Sequence, residues 1–148
     1  MFFGTHEHIL DTKGRLTVPS KLRSPLNDFC IEQFMVVRGF EPCLYMFAPS
    51  EWNQINKQFR SFKHFAKKKS RSLQRQFFSG AVPVDCDKQG RILIPKYLLK
   101  YAQIEKNVVL IGASSRIEVW SKEQWQEEFN AGNQGYAELV EDLDIDFE

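Results

Sequence analysis

The feature that most constrains this chain is that it is written twice. A slide of 76 residues lays Asp11-Thr-Lys-Gly14-Arg15-Leu-Thr-Val-Pro19 over Asp87-Lys-Gln-Gly90-Arg91-Ile-Leu-Ile-Pro95, and it matches Gly4 with Gly80 and Leu22 with Leu98. Farther along, a slide of 73 residues matches Gly39 with Gly112, Phe47 with Trp120 and Trp52 with Trp125, so the second copy is three residues shorter. Such self-similarity has to be settled before any element is assigned, because a repeat dictates the whole architecture.

Each copy reads the same way. An alternating run (Thr5 to Leu10; Ala81 to Cys86) leads into Asp-x-x-Gly-Arg, then into a β-rich run (Leu16 to Val18; Ile92 to Ile94) that stops at a proline. That pattern predicts a β-hairpin. A helical or turn segment follows (Ser20 to Leu26; Lys96 to Ala102), then two further strands: Phe34 to Arg38 with Cys43 to Phe47, and Val108 to Ile111 with Arg116 to Trp120. Each copy closes on a helix start, Ser50-Glu51-Trp52 or Ser121-Lys-Glu-Gln124, the latter in capping-box form. The expected class is mainly β with short helices, α+β, in two pseudo-symmetric halves.

The organisation that follows is a first half over 1–53, a connector over 54–78, a second half over 79–130 and an acidic tail over 131–148. In the connector, Ile55, Phe59, Phe62, Ala66, Leu73 and Phe77 fall near a 3.6-residue period, predicting an amphipathic helix. The crowded charges of Lys67-Lys68-Lys69-Ser70-Arg71 are expected to divide it in two. The tail lacks strong periodicity and is expected to be frayed or flexible.

Charge is distributed unevenly behind a net value of +1: eight Lys or Arg and no acidic residue between Trp52 and Val84, against nine Asp or Glu and no Lys or Arg from Glu123 to Glu148. The near-zero total therefore does not exclude a polyanion partner. Apolar residues make up 43% and charged residues 26%, a foldable globular composition. No run of about 20 apolar residues could cross a bilayer, and the opening Met1-Phe2-Phe3-Gly4 lacks a secretion-signal layout, so a cytoplasmic protein without membrane contact is expected. Cys30, Cys43 and Cys86 form no C-x-x-C pattern and read as buried free thiols.

In the repeated loop, Asp suits the first position of a four-residue turn, where its carboxylate accepts backbone N–H groups, and Gly suits the last, where positive φ is cheap. Turn grammar thus explains Asp11, Gly14, Asp87 and Gly90 but not the arginine that follows both times. On one reading, Arg15 and Arg91 fold back on the turn aspartates as ion pairs worth about 0–1 kcal/mol when exposed. On the other, a rigid tip offers a guanidinium and neighbouring lysines, Lys13 and Lys88, to phosphate or to guanine O6 and N7. The chemistry divides evenly; the repetition favours the second.

Other signals carry bland readings. His6 and His8 share a strand face without a third ligand nearby, so no metal site is assigned. Lys57 to Arg75 can serve as a solvated helix face or widen an electrostatic footprint. Trp52, Trp120 and Trp125 read as core or subunit-interface anchors. No nucleophile elbow, P-loop, H-E-x-x-H or paired carboxylate constellation is present, so no catalytic residue, cofactor or small-molecule substrate is assigned.

The opening Gly4-Thr-His-Glu-His-Ile-Leu-Asp-Thr-Lys-Gly-Arg-Leu-Thr-Val-Pro19, the second Asp87-Lys-Gln-Gly-Arg-Ile-Leu-Ile-Pro95 and the closing Ile117-Glu-Val-Trp-Ser-Lys-Glu-Gln-Trp125 together resemble the MraZ family, over roughly Met1 to Phe129. Each half is similar to the SpoVT-AbrB type of DNA-binding domain. The resemblance implies a swapped-hairpin β-barrel and a nucleoid-associated transcriptional regulator that binds short direct repeats of double-stranded DNA upstream of the division and cell-wall gene cluster. It also implies ring-shaped homo-oligomers. The motif carries over onto Asp11, Lys13, Gly14 and Arg15, and onto Asp87, Gly90 and Arg91; the second copy has Gln89 at the position of Lys13, with Lys88 one place earlier. The first loop, with Lys21 and Arg23 nearby in sequence, is expected to be the stronger. A protein-interaction or antitoxin-like module on the same fold is the competing reading.

Overall fold

The computed structural model describes residues 1–24 and 31–146. In chain order the elements are β1 (Thr5–Ile9), β2 (Arg15–Thr17), α1 (Ser20–Arg23), β3 (Gln33–Arg38), β4 (Leu44–Phe47), α2 (Pro49–Phe59), α3 (Phe62–Ala66), α4 (Lys68–Ser79), β5 (Val82–Asp85), β6 (Arg91–Leu93), α5 (Lys96–Tyr101), β7 (Asn107–Gly112), β8 (Ile117–Ser121), α6 (Lys122–Gln134) and α7 (Tyr136–Asp142). The class is α+β, with antiparallel sheets, as the repeat predicts. Residues 25 and 26 of the expected Ser20–Leu26 segment, and Cys30, lie outside the described residues. Cys43 is buried and Cys86 half-buried.

The strands that flank each Asp-x-x-Gly-Arg turn do not pair with each other as a local hairpin. β1 pairs with β7, β2 with β6, β5 with β3 and β4 with β8, all antiparallel and all between one half and the other. Among the described residues, only β3–β4 and β7–β8 pair within a half. The result is a six-stranded sheet, β1-β7-β8-β4-β3-β5, and a separate two-stranded ribbon, β2-β6. The hairpin expectation is corrected in this respect: the Asp-x-x-Gly-Arg turn is local, but the strands leaving it diverge to partners in the other copy. This exchange is the swapping implied by the family resemblance. Among the described residues no ladder joins edge strands β1 and β5, and the ribbon packs across the sheet instead of extending it.

Alternation along the strands explains the layers. On β4, Leu44 and Met46 join one buried cluster while Tyr45 and Phe47 join a second; on β8, Ile117 and Val119 go to the first and Trp120 to the second. The sheet is therefore covered on both faces. The first face receives Leu16, Val18, Ile92 and Ile94 from the ribbon and its flanks, with Leu22 of α1 and Leu98 of α5. Full burial of each such side chain stabilises the fold by about 1.5–3 kcal/mol. The second face receives Phe77 of α4, with Trp52, Ile55 and Phe59 of α2 and Trp125 of α6 packed against the cluster.

Prolines set the corners. Pro19 (φ −55°) and Pro95 (φ −58°) follow the two ribbon strands and stand at the N-caps of α1 and α5. A fixed φ and a missing N–H end a strand and permit a helix to begin at the same point. At Ser121 the side chain accepts a hydrogen bond from Gln124 N at 3.1 Å, as the capping-box pattern predicts. Its reciprocal half is not made, because the Gln124 amide donates to Gln103 Oε1. In the first half α2 starts earlier than expected, at Pro49, with Ala48 as an N-cap that offers no side-chain bond.

The connector departs from one broken helix. It is three helices, with a break at Arg60–Ser61 and another at Lys67, whose extended backbone (φ −90°, ψ 132°) separates α3 from α4. Leu73, expected on the apolar face, is 44% exposed. The tail also departs from expectation: residues 131–134 continue α6, and Tyr136–Asp142 forms α7. Its many Glu, Leu and Ala residues favour helix even without an apolar stripe. Among the described residues no helix is long and apolar enough to cross a membrane.

Candidate nucleic-acid interface

Each loop is built by one aspartate. Asp11 Oδ1 accepts from Lys13 N at 2.9 Å and from Arg15 N at 2.8 Å, while Oδ2 accepts from Arg15 Nε at 2.7 Å. Asp87 repeats the arrangement with Gln89 N at 2.8 Å, Arg91 N at 2.9 Å and Arg91 Nε at 2.8 Å. Both carboxyls are held below their ordinary range, chiefly by the backbone N–H of the arginine four residues on, then by its side chain and the N–H two residues on. Gly14 (φ +82°) and Gly90 (φ +80°) take the left-handed conformation that closes each turn.

The ion-pair reading of the two arginines is thus realised, without disposing of the other. The pairs run through Nε, which fixes the guanidinium plane and leaves its Nη edge as the one a second acceptor would meet. Arg15 and Arg91 keep 34% and 33% of their side-chain surface exposed, and Lys13 and Lys88 are exposed at the turns.

The ribbon fixes where these groups point. Its register sets Arg15 opposite Leu93, Leu16 opposite Ile92 and Thr17 opposite Arg91. Leu16 and Ile92 are 1% exposed and face the core, so period-two alternation turns Arg15, Thr17, Arg91 and Leu93 outward together. Arg15 and Arg91 stand on the diagonal of that face, a separation of about 7–8 Å in an antiparallel pair. Each loop is also bonded to the other copy, with Val18 N donating to Gly90 O at 2.8 Å and Ile94 N to Gly14 O at 3.0 Å. The two tips are one rigid unit.

Arg23 does not support the first loop, as its position in the sequence suggested. Its Nε donates to Val18 O at 2.8 Å, and its guanidinium packs where a Cβ on Gly90 would stand, 2.5 Å from Nε. The residue 76 positions later is Leu99, and its Cδ1 lies 3.8 Å from the equivalent point at Gly14. A leucine therefore underlies the first loop and an arginine underlies the second. The signal that marks this position is a mismatch between the copies; residues sharing a face across the ribbon, such as Thr17 and Leu93, carry no such mark.

The remaining candidates lie elsewhere. His6 and His8 are half-buried on one face of β1, and His6 is held below its ordinary value, first by burial and then by the charges of His8 and Lys21. Among the described residues no group of three or more His, Cys, Asp or Glu side chains is placed to hold a metal. Trp120 is buried, and Trp52 and Trp125 pack against the second cluster. In the connector, Arg71 Nη1 donates to Phe65 O and Ala66 O at 2.9 Å, closing α3; Lys67, Lys68 and Lys69 are exposed.

The fold and the paired turns define a class: an α+β protein of two interleaved copies, each first strand exchanged into the other, displaying a rigid two-loop cationic ribbon. A family model described as "MraZ protein, putative antitoxin-like" matches the chain in two tandem stretches, residues 1–76 and 77–134. The chain belongs to the MraZ family, a family of regulators with an AbrB-like fold.

Proposed function

We propose that this protein is a sequence-specific DNA-binding transcriptional regulator and that the outer face of the β2–β6 ribbon is the surface that meets the duplex. The observation that carries the reading is the placement of Arg15 and Arg91 on one outward face of a ribbon whose inner face is core. A two-stranded ribbon fits a major groove about 12 Å wide. Arg15 and Arg91 supply guanidinium edges for guanine or phosphate, and Lys13 and Lys88 supply point charges for the backbone. Asp11, Gly14, Asp87 and Gly90 hold the loops in shape, so little conformational entropy is lost on binding.

The family resemblance supports short direct repeats upstream of the division and cell-wall gene cluster as the target, and a ring of subunits in the cytoplasm, on the nucleoid. One ribbon neutralises only a few phosphates; several in register sum their counterion release and gain from effective concentration. Fragments selected from the protein's own genome, with Arg15→Ala as control, test partner and site together. Enrichment of repeated sites by the wild type alone supports the proposal. Equal enrichment by both proteins removes the ribbon face as the binding surface, and recovery of a stoichiometric foreign protein instead of DNA favours the antitoxin-like reading.

A further inference from the structure

The outward face of the ribbon is not uniformly polar. Of the four residues that alternation turns out, Arg15, Thr17 and Arg91 are polar and half-buried, whereas Leu93 is 59% exposed. Its strand neighbours Ile92 and Ile94 are buried, so β6 has core positions for apolar side chains and Leu93 is not on one. An isolated exposed leucine is ordinary on a protein surface. This one is set apart by its company. It stands directly across the ladder from Arg15, and its Cδ1 lies 3.8 Å from where a Cβ on Gly14 would stand, so it rests against the first turn. The 76-residue slide pairs it with Thr17. The ribbon thus carries one motif twice with a single exchange: Arg91 faces a threonine, with one methyl and one hydroxyl, and Arg15 faces a leucine, with methyls alone.

The major groove offers such a side chain one apolar target, the C5 methyl of thymine; the other groups on the base edges there are donors and acceptors. Over a polar base edge a leucine strips water from those groups and replaces none of their hydrogen bonds, which costs free energy. Over a thymine methyl it buries apolar surface on both sides and gains. Reach and spacing agree. Arg15 Nε is held to Asp11 Oδ2 at 2.7 Å, which folds the guanidinium toward the turn and shortens its reach toward that of a leucine. Directly opposed residues of an antiparallel pair stand about 4.5–5.5 Å apart, against about 3.4 Å between successive bases of one DNA strand. The two side chains therefore address neighbouring base pairs.

We propose that Leu93 is a specificity-determining residue that covers the C5 methyl of a thymine beside the base pair addressed by Arg15. This rests on the reading of the ribbon as the DNA-binding face and adds a base contact that no charged residue can make. The arginines seat the ribbon in the groove; the leucine then favours a methyl-bearing base, so it refines the choice and supplies none without them. Thr17 has a hydroxyl that accepts a polar base edge as readily as a methyl, so the two ends of the ribbon differ in what they require.

The test removes the methyl and nothing else. In the repeat selected by the wild type, each thymine is replaced in turn by uracil, which pairs with adenine but lacks the C5 methyl, and affinity is measured at fixed salt. One such position is expected to cost the wild type roughly fourfold, the worth of one buried methyl. Leu93→Ser, at an exposed strand position, is expected to keep wild-type circular dichroism, subunit mass and affinity for a scrambled duplex. It should bind the thymine repeat about as weakly as the wild type binds the uracil one, and be indifferent to the exchange. At the same position the wild type should prefer 5-methylcytosine to cytosine, and Leu93→Ser should not. A wild type with no methyl-sensitive position, a uracil loss that persists in Leu93→Ser, or a changed subunit mass in Leu93→Ser overturns the proposal. Arg15→Ala separates the two readings. If it loses discrimination while the wild type shows no methyl effect, this inference alone fails; if it keeps full discrimination, the ribbon reading fails with it.

Discussion

Replacing Gly90 by alanine should destabilise the protein more than the same change at Gly14, although the two glycines share one φ. Both sit near +80°, where an L residue loses roughly 1–2 kcal/mol. At Gly14 the new methyl meets Ile94 O at 3.4 Å and side chains at 3.8 Å, which is ordinary contact. At Gly90 it falls 2.5 Å from Arg23 Nε and 2.6 Å from Cζ, so the guanidinium must move. Moving it breaks the bond from Arg23 Nε to Val18 O, a loss of about 0.5–1.5 kcal/mol for a part-buried hydrogen bond. Expected losses are about 1–2 kcal/mol for Gly14→Ala and about 2–3 kcal/mol for Gly90→Ala. Urea unfolding at fixed protein concentration reads both, and a double-mutant cycle with Arg23→Leu isolates the coupling, expected near 1 kcal/mol. Equal losses at the two glycines, with no coupling to Arg23, refute the asymmetric packing of the loops.

Other outcomes follow from the same contacts. Leu16→Ala or Ile92→Ala removes a fully buried side chain beneath the ribbon and should cost about 2–5 kcal/mol in chemical denaturation, with loss of the loop geometry. The lowered pKa of His6 means that the unfolded chain takes its proton more readily; stability is whole above the ordinary value of 6.5 and declines as pH falls below it. His6→Gln should flatten that slope in thermal melts. Neutralising Lys67, Lys68 and Lys69 should lower the salt dependence of DNA binding without altering the preferred sequence, as read by parallel titrations on two duplexes.

The legible parts of this fold were those encoded locally. Asp11 and Gly14 specify a turn from four residues, and Pro19 and Pro95 mark the strand ends, because each acts on its own neighbours. Strand partners were not legible. Arg15–Thr17 and Arg91–Leu93 are three residues each, too short to carry a register of their own, and an antiparallel partner in the other copy satisfies the same alternation as a local one. Arg23 follows the same logic: its place in the chain suggests the first loop, but its contact with Gly90 spans the two copies. The helices after Ala131 were hidden because they bury none of their residues, leaving no apolar period to read.

The central claim is that Arg15 and Arg91 address one duplex from one face. The most direct measurement is the affinity of Arg15→Ala, Arg91→Ala and the double variant for a selected repeat, at fixed salt, beside a scrambled duplex. Loss of one bidentate base contact is worth about 1–3 kcal/mol, so each single variant should bind the repeat roughly 5- to 150-fold more weakly. The double variant should bind repeat and scrambled duplex alike. Wild-type discrimination by the double variant, at wild-type subunit mass, would contradict the account.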